Sequence, residues 1–234
     1  MTRHNPFLIS FSGIDGAGKS TQIEHLCSRL RDAGLRCKVY TFWDDAAVLR
    51  RMCEAAGHAI FKGDRGIGTP EAPIRRRDKN VRSPLMTLVR LGMYSLDALS
   101  LRRLIRRALR SRLDVVILDR YIYDELANLN LLNSAQRLYA RLLMGIVPCP
   151  DVAFLLDADP VQACSRKPEY PLYFVRLCRE SYLRLSELHG SMMVIPPRSL
   201  SSAETAVIAA VLGRAGLRTM VDEAGEQAAR PLAG

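Results

Sequence analysis

Several features that would assign this 234-residue chain to a special class are absent from its sequence. It has no apolar run of about eighteen residues, which argues against a membrane-spanning helix. Its six cysteines form no Cys-x-x-Cys pair, so reduced thiols are favoured over a metal site or a disulfide framework. The apolar stretch near the amino terminus is broken at Gly13 and Asp15 and lacks the cleavage site of a signal peptide. We therefore expect a cytoplasmic protein.

Lysine is scarce, and arginine carries most of the positive charge. The sequence has 5 Lys and 29 Arg against 24 acidic residues, which gives a net charge of +10. This excess predicts an anionic partner, and nucleic acid, a membrane surface or a phosphorylated small molecule would each satisfy it. We interpret the arginine-rich side of a predicted helix at 84–112 as a solvated face rather than a nucleic-acid or membrane surface. The residues concerned are Arg102, Arg103, Arg106, Arg107 and Arg110.

Short apolar runs alternate with segments of helical periodicity along the chain. The apolar runs predict five strands, at 6–12, 37–43, 114–118, 151–156 and 191–195. Because near-continuous apolar strands are typical of parallel sheets, the pattern predicts an α/β three-layer sandwich with a five-stranded parallel sheet and helices on both faces. One domain at 1–218 would then carry a mobile basic loop at 57–82, rich in glycine and proline, and a flexible tail at 219–234.

Residues 13–20, Gly-Ile-Asp-Gly-Ala-Gly-Lys-Ser, match the phosphate-binding pattern G-x-x-x-x-G-K-[ST]. Glycines allow the backbone to curl around a phosphate with its N–H groups pointing inward, and the helix that follows adds its positive dipole end. In such a loop Lys19 reaches the β- and γ-phosphates, and the hydroxyl of Ser20 binds Mg²⁺. The motif lies between a predicted strand and a predicted helix, so the sequence predicts a site for a nucleoside triphosphate with Mg²⁺.

A second candidate site feature stands at the end of the third predicted strand. Asp119 ends this strand in the manner of a Walker B acid, which helps to hold Mg²⁺, and Arg120 beside it could clamp a second phosphate group. The chain lacks the Asp-x-x-Gly and Asn-Lys-x-Asp motifs of guanine-nucleotide switches. It is also short for a AAA-type motor with an added helical domain. A phosphotransferase is therefore favoured over a switch or motor.

Four segments resemble the bacterial thymidylate kinases, in the same order along the chain. Phe11–Gln22 is similar to their opening motif, and Asp119-Arg120-Tyr121 to their Asp-Arg-Tyr motif. Residues 150–160 resemble the strand and turn before their lid, and residues 174–182 resemble the helix after it. The resemblance implies a P-loop NTPase fold and transfer of the γ-phosphate of ATP to a nucleoside monophosphate, with dTMP as the first choice.

The resemblance also implies roles for individual residues. Catalysis would fall to Lys19, Asp119, Arg120 and to Arg166, the last in a short lid at 166–171. Mg²⁺ would be held by Ser20 and Asp119, and a homodimer is implied as well. The residues expected to bind ATP are Gly13, Asp15, Gly16, Ala17, Gly18, Lys19, Ser20 and Thr21.

The acceptor side of the predicted site departs from the family pattern. Residues 42–45, Phe-Trp-Asp-Asp, stand where the family carries Arg-Glu-Pro-Gly, and Asp97 stands where it carries a thymine-reading arginine. Another nucleotide, a nucleoside or a small molecule therefore stays open as acceptor, and a nucleic-acid-binding P-loop NTPase is a third reading. The candidate acceptor contacts are Asp15, Trp43, Asp44, Arg90, Arg120 and Tyr121.

Overall fold

The computed structural model describes residues 6–46 and 84–214. The strands in these two ranges are β1 (Phe7–Ser12), β2 (Cys37–Thr41), β3 (Val115–Asp119), β4 (Val152–Leu156) and β5 (Met193–Ile195). The helices are α1 (Lys19–Asp32), α2 (Pro84–Leu109), α3 (Ile122–Leu126), α4 (Ser134–Ile146), α5 (Pro160–Arg166), α6 (Leu172–His189) and α7 (Leu200–Leu212). A π-helical turn, Phe42–Ala46, follows β2.

The strands form one parallel sheet in the order β2-β3-β1-β4-β5. Strand β1 lies in the middle, and its residue Phe11 is in register with Asp119 of β3 and with Phe154 of β4. The carboxyl ends of these three strands therefore meet at one edge of the sheet. Ligands of parallel α/β sheets bind at this edge, so the loops that follow β1 and β3 frame the candidate site.

Alternate residues of each strand face two separate layers of helices. In β1, Ile9 and Phe11 pack on the side of α1 and α7, whereas Leu8 packs on the side of α2, α4 and α6. All six residues of β1 and all five of β4 are buried. A strand covered on both faces has no polar side, which explains the near-continuous apolar runs in the sequence. The architecture is the predicted three-layer sandwich around a five-stranded parallel sheet.

Helix α1 is held against the sheet by its apolar stripe, Ile23, Leu26, Cys27 and Leu30, whose residues are all less than 5 % exposed. Burying a leucine or isoleucine side chain contributes about 1.5–3 kcal/mol, so this stripe fixes the helix firmly. The amino end of α1 carries Lys19 and points to the edge where β1 ends. Core packing thus positions the loop that the sequence assigns to phosphate.

The predicted boundaries are wrong in three places that affect the site. The second predicted strand runs to Trp43, but β2 ends at Thr41, whose N–H donates to the Asp45 carboxylate at 2.8 Å as the chain enters the π-helical turn. Arg166, predicted in a loop, is the last residue of α5. The long helix ends at Leu109 rather than at 112.

Several predictions fall on other parts of the chain. The loop at 57–82 and the tail at 219–234 lie outside the described residues. Within residues 6–46 and 84–214, no helix combines the length and the apolar character that a membrane crossing requires.

Candidate functional site

The loop between β1 and α1 has the backbone that its glycines predict. Gly13, Gly16 and Gly18 all have positive φ, of 141°, 81° and 88°. A Cβ atom at Gly13 would lie 2.4 Å from the carbonyl oxygen of Leu156, and one at Gly16 would lie 2.4 Å from that of Ala163. Side chains therefore cannot replace these two hydrogens without moving β4 or α5. The loop keeps its curved path because glycine occupies these positions.

Helix α1 begins at Lys19 with no side chain capping its first turn. The first N–H groups of a helix have no partner within the helix and carry partial positive charge, so they are suited to an anion. The Ser20 side chain lies at this end and is exposed, and Thr21 is half-buried. The helix end and the glycine loop together form a concave surface of backbone donors.

The Lys19 side chain folds back over the loop. Its Nζ donates to the carbonyl oxygens of Gly13 at 2.8 Å and Ile14 at 3.0 Å, and the residue is 7 % exposed. Burial lowers the pKa of Lys19 to about 8, and the positive charge of Arg120 acts in the same direction. A negatively charged ligand in the loop would restore the ordinary pKa, because it would favour the protonated amine.

Asp119 and Arg120 stand at the end of β3, beside the phosphate loop. Burial raises the pKa of Asp119, while the charges of Lys19 and Arg120 oppose that rise. Arg120 has a left-handed backbone with φ of 70°, uncommon for a residue with a side chain, and its N–H donates to the carbonyl of Phe11 at 2.9 Å. This turn sends the guanidinium back over the sheet edge, toward the phosphate loop.

The guanidinium of Arg120 lies between two carboxylates. One Nη atom hydrogen-bonds to Asp15 of the phosphate loop, and the other lies 3.6 Å from Asp124 of α3. Burial works against the charge of Arg120, but Asp124 and Asp15 outweigh it and raise the pKa. Burial likewise opposes the charge of Asp15, yet Arg120 and Lys19 hold its pKa below the ordinary value. Arg120 and Asp15 are therefore both charged at neutral pH.

Asp124 is a functional candidate that the sequence analysis did not select. Its side chain is 2 % exposed and accepts hydrogen bonds from the Ser12 hydroxyl at 2.7 Å, the Tyr121 N–H at 3.0 Å and the Tyr182 hydroxyl at 2.7 Å. These donors belong to β1, to the turn after β3 and to α6. Its position four residues after Arg120, on a predicted helix, was the only signal for such a contact in the sequence.

A cavity of roughly 390 Å³ opens beside the phosphate loop. The Arg166 side chain borders it and donates to the carbonyl of Gly16 at 3.1 Å and to the side-chain oxygen of Gln162 at 3.2 Å. The far wall, between β5 and α7, was not anticipated, because its residues form no recognisable motif. The lining includes Ala17, Gly18, Thr21, Gln22, Pro196, Pro197, Arg198 and Ala203.

The residues predicted to contact the acceptor differ in their location and in their exposure. Trp43 and Asp44 lie on the π-helical turn directly after β2, and Thr41 of that strand is in register with Asp119, so the turn leaves the same edge of the sheet. Trp43 is half-buried against Phe42, with ring centroids 5.1 Å apart and planes at 74°, and Asp44 is exposed. Tyr121 is fully buried, and its hydroxyl donates to the Pro148 carbonyl. Its ring has no open face on which a base could stack.

Arg90 borders a buried polar cluster between α2 and α3. Glu125 and Asp97 are each 4 % exposed, and Tyr94 hydrogen-bonds to Glu125. Burial and, after it, the nearby Asp97 carboxyl raise the pKa of Glu125 to about 8, whereas the Tyr94 hydrogen bond and Arg90 oppose the rise. Glu125 is therefore neutral at pH 7. Asp97, which the resemblance aligns with a thymine-reading arginine, is thus a buried carboxyl group.

The chain was compared with known proteins, and no protein-family model matches it. The thymidylate kinase of Pelodictyon phaeoclathratiforme is 29% identical over 171 residues, which are 68% of this chain and 65% of that protein. The chain thus spans slightly less than two thirds of that relative. The thymidylate kinase of Dinoroseobacter shibae is 29% identical over 217 residues, 85% of this chain and 92% of that protein. That of Deinococcus radiodurans is 28% identical over 204 residues, 80% of this chain and 86% of that protein.

Solved structures share the architecture. The thymidylate kinase of Candida albicans gives a TM-score of 0.59 at 17% identity, over 91% of this chain and 93% of that one. The enzyme of Ehrlichia chaffeensis gives 0.55 at 17% identity, over 88% of this chain and 98% of that one. At such low identity these structures show the fold, which is that of the P-loop NTPases. Together with the sequence relatives and the Asp-Arg-Tyr turn facing the phosphate loop, this likeness makes the chain similar to the thymidylate kinases in fold and in sequence.

Proposed function

We propose that the protein is an ATP-dependent phosphotransferase that transfers the γ-phosphate of ATP to a nucleoside monophosphate, with dTMP as the first candidate acceptor. The observation that carries the proposal is the meeting of three cationic or donor groups at one sheet edge: the phosphate loop, Lys19 and Arg120. Phosphoryl transfer needs positioned positive charge more than it needs a protein nucleophile. The site supplies that charge on the elements that the core holds most firmly.

ATP would lie with its phosphates in the loop 13–21 and its base in the adjoining cavity. The residues that would contact ATP are Gly13, Asp15, Gly16, Ala17, Gly18, Lys19, Ser20 and Thr21. The cavity borders Gly18 and Thr21 and is lined on its far side by Pro196 and Pro197. Its volume falls in the range of small-molecule sites. The size and place of the cavity therefore suit a nucleoside attached to a triphosphate in the loop.

Mg²⁺ would be held by the hydroxyl of Ser20 and the carboxylate of Asp119. Both are hard oxygen donors, which Mg²⁺ prefers, and Mg²⁺ sites in kinases are completed by phosphate oxygens and water rather than by a protein cage. Ser20 is exposed and Asp119 half-exposed at the same sheet edge, so the donor set fits the ion. When bound, Mg²⁺ would neutralise charge on the β- and γ-phosphates.

Three cationic side chains would act during the transfer. Lys19 would exchange its two carbonyl partners for phosphate oxygens, and Arg120 would join the acceptor phosphate to the group in transit. Arg166, at the end of α5, already contacts the carbonyl of Gly16 and would add charge from the lid side. None of the three needs to gain or lose a proton. Their work is to orient the phosphates and to stabilise negative charge on the moving group.

The acceptor would bind on the side of Arg120 that faces the π-helical turn. Trp43 and Asp44 stay our candidates there, with Asp15, Arg90 and Arg120, whereas the burial of Tyr121 assigns it to packing. A different nucleoside monophosphate, a nucleoside or another small molecule is the second candidate acceptor. It is favoured by the buried Asp97 and Glu125, because a carboxyl group donates at most one hydrogen bond, and only when protonated, whereas the arginine that the family carries has five N–H donors.

A homodimer and a cytoplasmic location complete the proposal. Helices α2 and α4 carry an exposed apolar face on which Leu88 and Leu138 are 67% and 59% exposed, with Leu96, Leu99 and Leu142 beside them. Exposed apolar faces of this kind mark protein interfaces. Size-exclusion chromatography with light scattering should give twice the chain mass, and Leu138→Glu should restore a monomer.

The activity is tested by coupled ADP release with a panel of nucleoside monophosphates and nucleosides. Turnover should be greatest with dTMP, and Lys19→Ala should abolish it while the thermal unfolding temperature stays near that of the wild type. Arg166→Ala should lower kcat far more than it raises the KM for ATP. If none of the acceptors stimulates ADP release, or if turnover is unchanged in Lys19→Ala, the protein is not a kinase. Turnover with another acceptor alone would refute dTMP and keep the kinase.

A further inference from the structure

Asp124 occupies a position at which the phosphate loop, the turn after β3 and helix α6 meet. Its carboxylate has two oxygens, and both are engaged: Oδ2 accepts from Ser12 and from the Tyr121 N–H, and Oδ1 accepts from Tyr182. A carboxylate that is 2% exposed needs such compensation, because burying a charge without partners is strongly unfavourable. Three hydrogen bonds therefore fix the orientation of this carboxylate.

The fixed carboxylate faces Arg120. Its Oδ1 atom lies 3.6 Å from a guanidinium nitrogen, and its negative charge is the largest favourable contribution to the raised pKa of Arg120. Arg120 has a second partner in Asp15, but the Asp15 side chain is 27% exposed and lies in the loop that would receive phosphate. A partly exposed carboxylate is screened by water and can change rotamer more easily than a fully buried one.

We propose that Asp124 is the positioning residue of the site: by pairing with Arg120 it holds the guanidinium in the orientation that receives phosphate. Asp124 also binds Ser12, the residue directly before the phosphate loop, so one carboxylate sets the position of Arg120 relative to that loop. Asp15 is then free to release Arg120 when phosphate arrives. Asp124 itself touches neither phosphate nor metal, and its role acts through Arg120.

The positioning role of Asp124 rests on the proposed phosphoryl transfer only when turnover is measured. The main test therefore measures the mobility of the Arg120 guanidinium, which does not depend on activity. Asp124→Asn removes the charge and keeps the shape of the side chain. The amide oxygen can take the place of Oδ2 and still accept from Ser12 and the Tyr121 N–H, and the Tyr182 hydroxyl can rotate to accept from the new NH2 group, so the fold is expected to survive. Nitrogen-15 NMR of the arginine side chains, with the Arg120 signals identified by their loss in Arg120→Lys, reports how freely the guanidinium rotates.

We expect slow guanidinium rotation in the wild type and in Asp15→Asn, and fast rotation in Asp124→Asn. Tyr182→Phe is the matched control, because it removes one hydrogen bond of Asp124 and leaves the charge in place; rotation should stay slow. A guanidinium that remains restrained in Asp124→Asn, or that is released in Asp15→Asn, would overturn the proposal. If Asp124→Asn does not fold, the Asp15→Asn arm decides alone.

Turnover gives a second readout on the acceptor that the wild type uses. A misplaced guanidinium should lower kcat about tenfold to a hundredfold in Asp124→Asn, with the KM for ATP changed less than about threefold. Tyr182→Phe should lower the thermal unfolding temperature as much as Asp124→Asn does, but it should lower kcat only slightly. Equal losses of kcat in the two variants would assign Asp124 a purely structural role. If the wild-type protein phosphorylates none of the acceptors, the kinase proposal is refuted, but the NMR test of Asp124 remains valid.

Discussion

Binding of a triphosphate to the phosphate loop is expected to take up a proton at pH 8. The polypeptide lowers the pKa of Lys19 to about 8, because the amine is buried and faces Arg120. Phosphate oxygens next to the amine would favour its charged form and raise this pKa again. Each binding event at a pH near 8 must therefore protonate the fraction of Lys19 that is neutral in the protein alone.

The size of the effect follows from the pKa. About half of the Lys19 amines are neutral at pH 8, about one tenth at pH 7 and about nine tenths at pH 9, from a pKa of about 8. Binding to the protonated form alone would make the apparent affinity for Mg-ATP roughly tenfold weaker at pH 9 than at pH 7. The phosphate groups themselves titrate near pH 6, below this range. Lys19 is thus the group expected to dominate the change.

Isothermal titration calorimetry in buffers of different ionisation enthalpy measures the proton uptake directly. We expect about half a proton per site at pH 8, falling toward zero at pH 7. Lys19→Met removes the titrating group, and its residual binding should show neither the uptake nor the tenfold loss of affinity. Wild-type binding with no proton uptake at pH 8, or with the same affinity at pH 7 and pH 9, would show that Lys19 does not meet the phosphates with a lowered pKa.

Three further variants test separate parts of the structure. Gly16→Ala places a Cβ 2.4 Å from the Ala163 carbonyl and should abolish Mg-ATP binding in calorimetry; unchanged affinity would contradict the close approach. Glu125→Gln should raise the free energy of unfolding far more at pH 8 than at pH 5. The reason is that the folded-state pKa of about 8 lies above the ordinary 4.5, so wild-type stability falls as pH rises through this window. Arg179→Met breaks the bidentate pair with Asp157 and should lower the urea-unfolding free energy by about 1–3 kcal/mol, and a loss near zero would show that the pair is screened.

The phosphate loop could be predicted from the sequence because its geometry is local. Positive φ at Gly13, Gly16 and Gly18 and the start of α1 at Lys19 follow from residue types within eight positions of one another. The five parallel strands were also predictable, since each is a short apolar run with a helix after it. For the phosphate loop and the strands, residue type and spacing were therefore sufficient to predict the backbone.

The contacts around Arg120 could not be predicted in this way. The left-handed φ of Arg120 contradicts its residue type, and it persists because its N–H is bound to Phe11 in the neighbouring strand. Asp124 accepts hydrogen bonds from Ser12, which is 112 positions away in the sequence, and from Tyr182, which is 58 positions away. No spacing rule connects positions so distant. The cavity wall beyond β5 could not be predicted for the same reason, because its residues are distant in sequence from the phosphate loop and the sheet brings them together.

The two halves of the site are constrained by different physical interactions. On the donor side, an added side chain at Gly13 or Gly16 meets a backbone carbonyl at 2.4 Å, so no compensating change elsewhere relieves it. Around Arg120, Asp124 and Glu125 are buried groups whose cost is offset by partners on other helices, Tyr182 and Tyr94. Such groups can be exchanged together with their partners. A chain can thus keep its phosphate loop unchanged while a different set of buried carboxyl groups surrounds Arg120.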